Sequence, residues 1–199
     1  MRGSEFDPLI VAEVPLFRGF IKVDRYTLEA DWKGRTVRMD REIHFHGHAA
    51  AILPVDPDRR TGILIRQFRV SPFLDGESGW LWEVPAGLLD DEAPLTCAAR
   101  EAEEEAGVAV CDIEALGKSY ASPGLVRESV ELFWGRYSTP PAAAIGGLDE
   151  EAELIEIHEL PMSEIGRMAE TGDITDSKSA VAIFRLKARR PDLFEKAST

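Results

Sequence analysis

The chain has 199 residues, 44% apolar and 30% charged, so it can bury a full hydrophobic core, and its ordinary hydrophobicity excludes disorder as the dominant state. Lys and Arg number 23 against 36 Asp and Glu; the net charge of −13 repels phosphate backbones and anionic bilayers, so neither nucleic acid nor a membrane is expected as a partner. Cys97 and Cys111 are too few for a disulfide framework and form no CxxC pattern, which suits a reducing cytoplasm, and no run reaches the roughly 18 apolar residues of a membrane span.

Residues 1–6 lack an apolar segment and read as an expression leader, followed by an N-terminal β region over 7–46, the main domain over 47–191 and a tail over 192–199. β-branched and aromatic residues over 17–31, the turn Trp32-Lys33-Gly34-Arg35 and alternation over 36–45 predict a hairpin. The apolar run 49–55, the turn 56–62 and a strand over 63–70 predict a second. Residues 71–79 read as a loop and 80–84 as a strand. Pro94 suits the first position of a helix, and Leu95, Ala98, Ala99, Ala102 and Ala106 recur at helical spacing until Gly107, which predicts a helix over 94–106. Strands follow over 111–119 and 129–137, then a Pro- and Gly-containing connector over 139–147, a strand over 153–160, and helices over 162–170 and 177–189. Strands interrupted by helices predict a mixed sheet between helix layers, an α/β/α sandwich, with the first hairpin as a small separate sheet.

The densest charge lies at Arg100-Glu101-Ala102-Glu103-Glu104-Glu105. Glu101, Glu104 and Glu105 share one helix face, where like charges repel. Arg100 can pair with Glu104 one turn on, which leaves Glu101 and Glu105 to chelate a hard cation such as Mg²⁺. A solvated acidic face is the plain alternative. The helix is entered through Glu83-Val84-Pro85-Ala86-Gly87, a strand running into a glycine loop whose carbonyls can approach an ion. His44, His46 and His48 have strand spacing and suit either ordinary packing or, less well, a zinc face. Cys97 reads as a buried, inert thiol. Trp80 and Trp82 share a strand face and can either pack or stack a base.

Gly87, Glu92, Arg100-Glu101, Glu104-Glu105, Gly107 and Val108 resemble the Nudix box, G-x5-E-x7-R-E-U-x-E-E-x-G-U with U a bulky aliphatic, except that Ala102 is small and one residue is missing between Gly87 and Glu92. Ser122-Pro123-Gly124 resembles the ADP-ribose pyrophosphatase branch. The stretch from Leu64 to Val70, Ala86-Gly87-Leu88-Leu89-Asp90, Glu159-Leu160-Pro161, and Gly172-Asp173-Ile174 through Asp176 and Lys178 look most like the GDP-mannose pyrophosphatases.

The resemblance implies a Nudix-type α/β/α sandwich that hydrolyses the pyrophosphate of a nucleoside diphosphate sugar. GDP-mannose would give GMP and mannose 1-phosphate; ADP-ribose would give AMP and ribose 5-phosphate. It implies two or three Mg²⁺ or Mn²⁺ per site and a cytoplasmic homodimer whose N-terminal strands help to build the site. The implied metal ligands are the Ala86 carbonyl, Glu101 and Glu105, with Glu104 close behind and Arg100 orienting a glutamate. Glu151 and Glu153 match the acidic positions of a downstream loop, with Glu151 expected as the base; a solvated acidic loop is the alternative. Arg69, Arg66, Glu128, Lys178 and Gly87 fall at substrate-side positions. Strand alternation puts Arg66 and Arg69 on opposite faces, so Arg66 suits a salt bridge equally well, and Lys178 equally suits a helix surface. A non-catalytic sugar-nucleotide sensor on the same fold is the third reading, and it is expected to have lost box glutamates that are all present here.

Overall fold

The computed structural model describes residues 6–147 and 154–196. The chain divides into two units: 1–48 with 120–128, and 49–119 with 129–199. The first hairpin therefore belongs to a unit that also recruits a segment from far along the chain.

In the first unit, β1 (Leu9–Arg18), β2 (Lys22–Trp32) and β3 (Arg35–Phe45) form an antiparallel sheet in that order. Lys33 and Gly34, both at positive φ (51° and 77°), make the two-residue turn whose twist suits a hairpin. The single strand expected over 17–31 is broken: Phe17 and Arg18 end β1, and the chain turns at Gly19, whose N–H bonds the Ile21 carbonyl at 3.0 Å. The segment 120–128 docks on β3 through His44 N–H to Leu125 O (3.0 Å) and Arg127 N–H to His44 O (2.9 Å).

The second unit holds β4 (Ala49–Asp56), β5 (Thr61–Phe68), β6 (Trp80–Glu83), β7 (Ala86–Leu88), β8 (Cys111–Ser119), β9 (Val130–Arg136), β10 (Ile145–Gly146) and β11 (Ile155–Pro161). Its helices are α1 (Val70–Leu74), α2 (Pro94–Glu104), α3 (Met162–Thr171) and α4 (Ser177–Arg189). The sheet runs β10-β11-β5-β4-β9-β8, with β6 added to β5 and β7 to β4. It is mixed, because β4 and β9 run parallel.

Every residue of β4 is buried, as a continuous apolar run requires of a central strand. Its period of two sorts the core. Ala50 and Ile52 pack with Cys97, Ala98 and Ala102 of α2. Ala51, Leu53 and Val55 pack with Met162 and Ile165 of α3 and with Ala182, Ile183 and Leu186 of α4. Each large aliphatic side chain so buried contributes about 2 kcal/mol. These two packed faces are the α/β/α sandwich.

Three local expectations are corrected. Residues 71–79, expected as loop, begin with most of α1. The connector 139–147 contributes β10 to the sheet edge. After α4, a 3₁₀ turn (Pro191–Phe194) buries Leu193 and Phe194, so the presumed tail starts inside the core. Among the described residues, no helix is long and apolar enough to cross a membrane.

Candidate active site

The site is built from the bottom of α2 upward. Pro94 occupies the first turn of α2 after extended Ala93, and Gly107 closes the helix at φ 66° with its N–H on Glu103 O (3.1 Å), a left-handed cap. Arg100 neutralises the acidic face. Its Nε and Nη2 donate to Glu92 Oε1 (3.0 and 2.7 Å), and Nη1 donates to Glu104 Oε2 (2.6 Å) and lies 2.8 Å from Glu101 Oε1. The shortened loop still delivers Glu92 because Asp90 and Asp91 both adopt positive φ (40° and 70°) and coil the chain tightly.

Glu101 and Glu105 are 6% and 3% exposed, rare for carboxylates. Glu105 Oε2 accepts the Ala86 N–H at 2.8 Å. A Cβ on Gly87 would stand 1.8 Å from Glu101 Oε1, so only glycine lets the loop lie against that carboxylate. The β7 pairing with β4 (Ala86 with Ala51, Gly87 with Ala50) fixes the loop. The Cys97 thiol lies 3.3 Å from Leu88 O and 3.6 Å from Gly87 O, and burial pushes its pKa up to about 11.

These oxygen donors fit a hard divalent cation. Among the described residues no three His, Cys, Asp or Glu side chains form a metal-binding group. Glu104, half-buried, is tied to Arg100.

A second cluster lies at the end of β6. Glu83, 2% exposed, takes Arg69 Nε and Nη2 on its two oxygens (2.7 and 2.9 Å) and the Lys178 ammonium as well. Burial alone would raise the Glu83 pKa, but the Arg69 hydrogen bonds and the Lys178 charge hold it at about 2. Lys178, on the first turn of α4, is also 3.1 Å from Asp176 Oδ2. It therefore sits in an ion cluster rather than on a free helix surface. Sequence reasoning missed Glu83 as a site residue; the available signal was an acid closing a tryptophan-rich strand immediately before Val84-Pro85-Ala86-Gly87.

Arg66 is separated from Arg69 as strand alternation requires. Its guanidinium lies over Trp80 and Trp82 (5.7 and 5.9 Å to the ring centroids) and 3.6 Å from Glu156. Both tryptophans thus pack against Arg66. Glu128 belongs to the first unit, where His46 Nε2 lies 3.7 Å from its Oε1. His44 and His46 stack at 5.0 Å, and the His48 ring lies edge-on to Phe45 at 5.4 Å, which is the packing alternative for these histidines.

Glu151 and Glu153 lie outside the described residues, but both flanks of their segment are visible. Gly147 N–H bonds Glu104 O at the C-terminal end of α2 (3.1 Å), and Phe68 N–H bonds Leu154 O (3.4 Å) one residue before Arg69.

Three comparisons bear on this geometry. A NUDIX domain family matches residues 45–180. GDP-mannose pyrophosphatases of Escherichia coli O1:K1 / APEC and of Shigella boydii serotype 4 (strain Sb227) are each 40% identical over 155 residues, which cover 77% of this chain and 81% of theirs. A crystal structure of an ADP compounds hydrolase superposes with a TM-score of 0.73 over 96% of this chain and 97% of that one; at 22% identity the likeness is one of fold. With the family matched across most of its length and the box glutamates gathered at the Ala86–Gly87 loop, the chain belongs to the Nudix family.

Proposed function

We propose that this protein hydrolyses the pyrophosphate bond of nucleoside diphosphate sugars with the help of Mg²⁺, taking GDP-mannose to GMP and mannose 1-phosphate. The observation that carries the reading is the buried pair Glu101 and Glu105 wrapped around the Ala86–Gly87 backbone. Carboxylates from one turn of a helix, gathered against a loop backbone, are the hard oxygen donors that suit a divalent cation. The 40% identity to GDP-mannose pyrophosphatases supports the choice of substrate. A chain with net charge −13 also needs bridging cations to accept a diphosphate.

Glu101, Glu105 and the Ala86 carbonyl would hold a divalent cation, which would supply charge neutralisation for the diphosphate and a lowered pKa for a bound water. The protein's own residues do the rest. Arg100 orients Glu101 and Glu104 through its contacts with both. Arg69 and Lys178 meet anionic oxygens of the substrate. Glu151, or Glu153 two residues on, takes the proton from the attacking water. Arg66, from the tryptophan face, and Glu128 are proposed as further substrate contacts.

A homodimer is part of the proposal. All ten residues of β1 are exposed, among them Leu9, Ile10, Val14, Leu16 and Phe17, and an apolar edge strand of that length is ordinarily covered. A second copy of the chain is the proposed cover. Light scattering that returns a stable, active monomer would reject it.

The deciding experiment is hydrolysis of GDP-mannose and ADP-ribose side by side, with product analysis, with and without EDTA. Faster Mg²⁺-dependent release of GMP is expected. Preference for ADP-ribose rejects the choice of sugar nucleotide, and turnover insensitive to EDTA rejects the metal site.

A further inference from the structure

Arg69 and Lys178 stand 109 residues apart in the chain and reach one carboxylate, that of Glu83. Glu83 is anchored by more than these cations. Val84, the next residue, donates its N–H to Ser179 Oγ at 2.8 Å, and Ser179 N–H is held by the capping carboxylate of Asp176 at 3.0 Å. Asp176 in turn lies 3.1 Å from the Lys178 ammonium. A closed ring of polar contacts thus ties the end of β6 to the start of α4. The cations are not sealed away by it: the Arg69 side chain keeps 41% of its surface exposed and Lys178 18%, against 2% for Glu83. Two cations without Glu83 would repel each other across a partly buried gap.

We infer that Glu83 is a positioning residue for the substrate: by bridging the Arg69 guanidinium and the Lys178 ammonium, it holds two cations from different elements at one fixed spacing, so that they engage neighbouring anionic groups of a sugar nucleotide together. Glu83 itself touches no reacting atom. Preset spacing lowers the ordering cost of binding, so its loss weakens substrate capture more than chemistry. The inference rests on the sugar-nucleotide pyrophosphatase reading.

The test is steady-state hydrolysis of GDP-mannose at saturating Mg²⁺ by the full chain as wild type, Glu83→Gln, Lys178→Met and the double variant, with circular dichroism on each. Glu83→Gln is expected to raise KM about 10-fold or more, to leave kcat within about threefold and to keep the Mg²⁺ half-saturation. In the Lys178→Met background the same change is expected to move KM less than about twofold, because the two residues serve one function. An unchanged KM in Glu83→Gln overturns the inference, as does an equal rise in both backgrounds. Where Glu83→Gln does not fold, Glu83→Asp keeps the charge but draws it back by one methylene; it is expected to raise KM with a native spectrum, and an unchanged KM overturns the inference. A wild type that hydrolyses no nucleoside diphosphate sugar rejects the functional reading instead, so the two failures are distinguishable.

Discussion

Glu105 Oε2 accepts the Ala86 N–H at 2.8 Å, so the residue proposed to grip a cation from the helix side also fixes the peptide proposed to grip it from the loop side. A glutamine at 105 keeps the acceptor and the shape but loses the charge. Glu105→Gln is therefore expected to fold normally by circular dichroism, to lose about 100-fold or more in kcat and to need more Mg²⁺ for half-saturation. Unaltered turnover would remove the carboxylate clamp from the mechanism.

Gly146 presses on the same helix end. A Cβ there would stand 2.2 Å from the Glu105 carbonyl oxygen and 2.9 Å from its carbon, both backbone atoms that cannot swing aside. Gly146→Ala is expected to cost about 1–3 kcal/mol of stability, read as a lower urea midpoint, and to reduce kcat by more than the loss of folded protein explains. The second effect follows from the contact of Gly146 with the backbone of Glu105, a proposed cation ligand. Full kcat in a destabilised variant would confine Gly146 to packing.

Much of this was legible in the chain because it is local. The apolar run of β4, the spacing of Ala98 and Ala102 on α2 and the pairing of Arg100 with Glu104 all follow from periods of two or 3.6. The break at Gly19 and the five-residue α1 were not legible, since Pro72, Gly76 and Gly79 read as loop whether or not one helical turn encloses the first of them. Nor was the part played by Glu83. Its partners lie 14 and 95 residues away, and only the β5–β6 pairing and the docking of α4 bring them together. The docking of 120–128 on β3 is likewise a tertiary choice that no periodicity announces. The short spacing from Gly87 to Glu92 left Glu92 without an assigned role until the left-handed Asp90 and Asp91 accounted for its reach to Arg100.

The two cysteines should behave oppositely. Cys97 is fully buried, with a pKa of about 11 caused first by burial and then by the Glu101 charge, whereas Cys111 is exposed. The thiolate is the nucleophile, so iodoacetamide at pH 8 is expected to label Cys111 and to spare Cys97 in the folded protein. Peptide mass spectrometry reads both sites at once. Equal labelling of the two under native conditions would show that α2 opens away from the sheet far more readily than its packing on Ala50 and Ile52 implies.

Acid should undo the Glu83 cluster in a defined window. The folded-state pKa of Glu83 lies near 2, below its ordinary 4.5, despite a burial that acts in the opposite direction. A depressed carboxylate contributes stability that is fully present above its unfolded pKa and disappears as pH falls through the folded one. The window is therefore about pH 4.5 down to 2, and the contribution above it is about 3 kcal/mol at 1.4 kcal/mol per pKa unit. Glu83→Gln has no such titration. Urea unfolding of the two proteins is expected to show a constant stability difference from pH 7 to 5 that narrows steadily toward pH 2. A difference that holds its full size at pH 2 would mean that the Arg69 and Lys178 contacts do not stabilise the ionised form of Glu83.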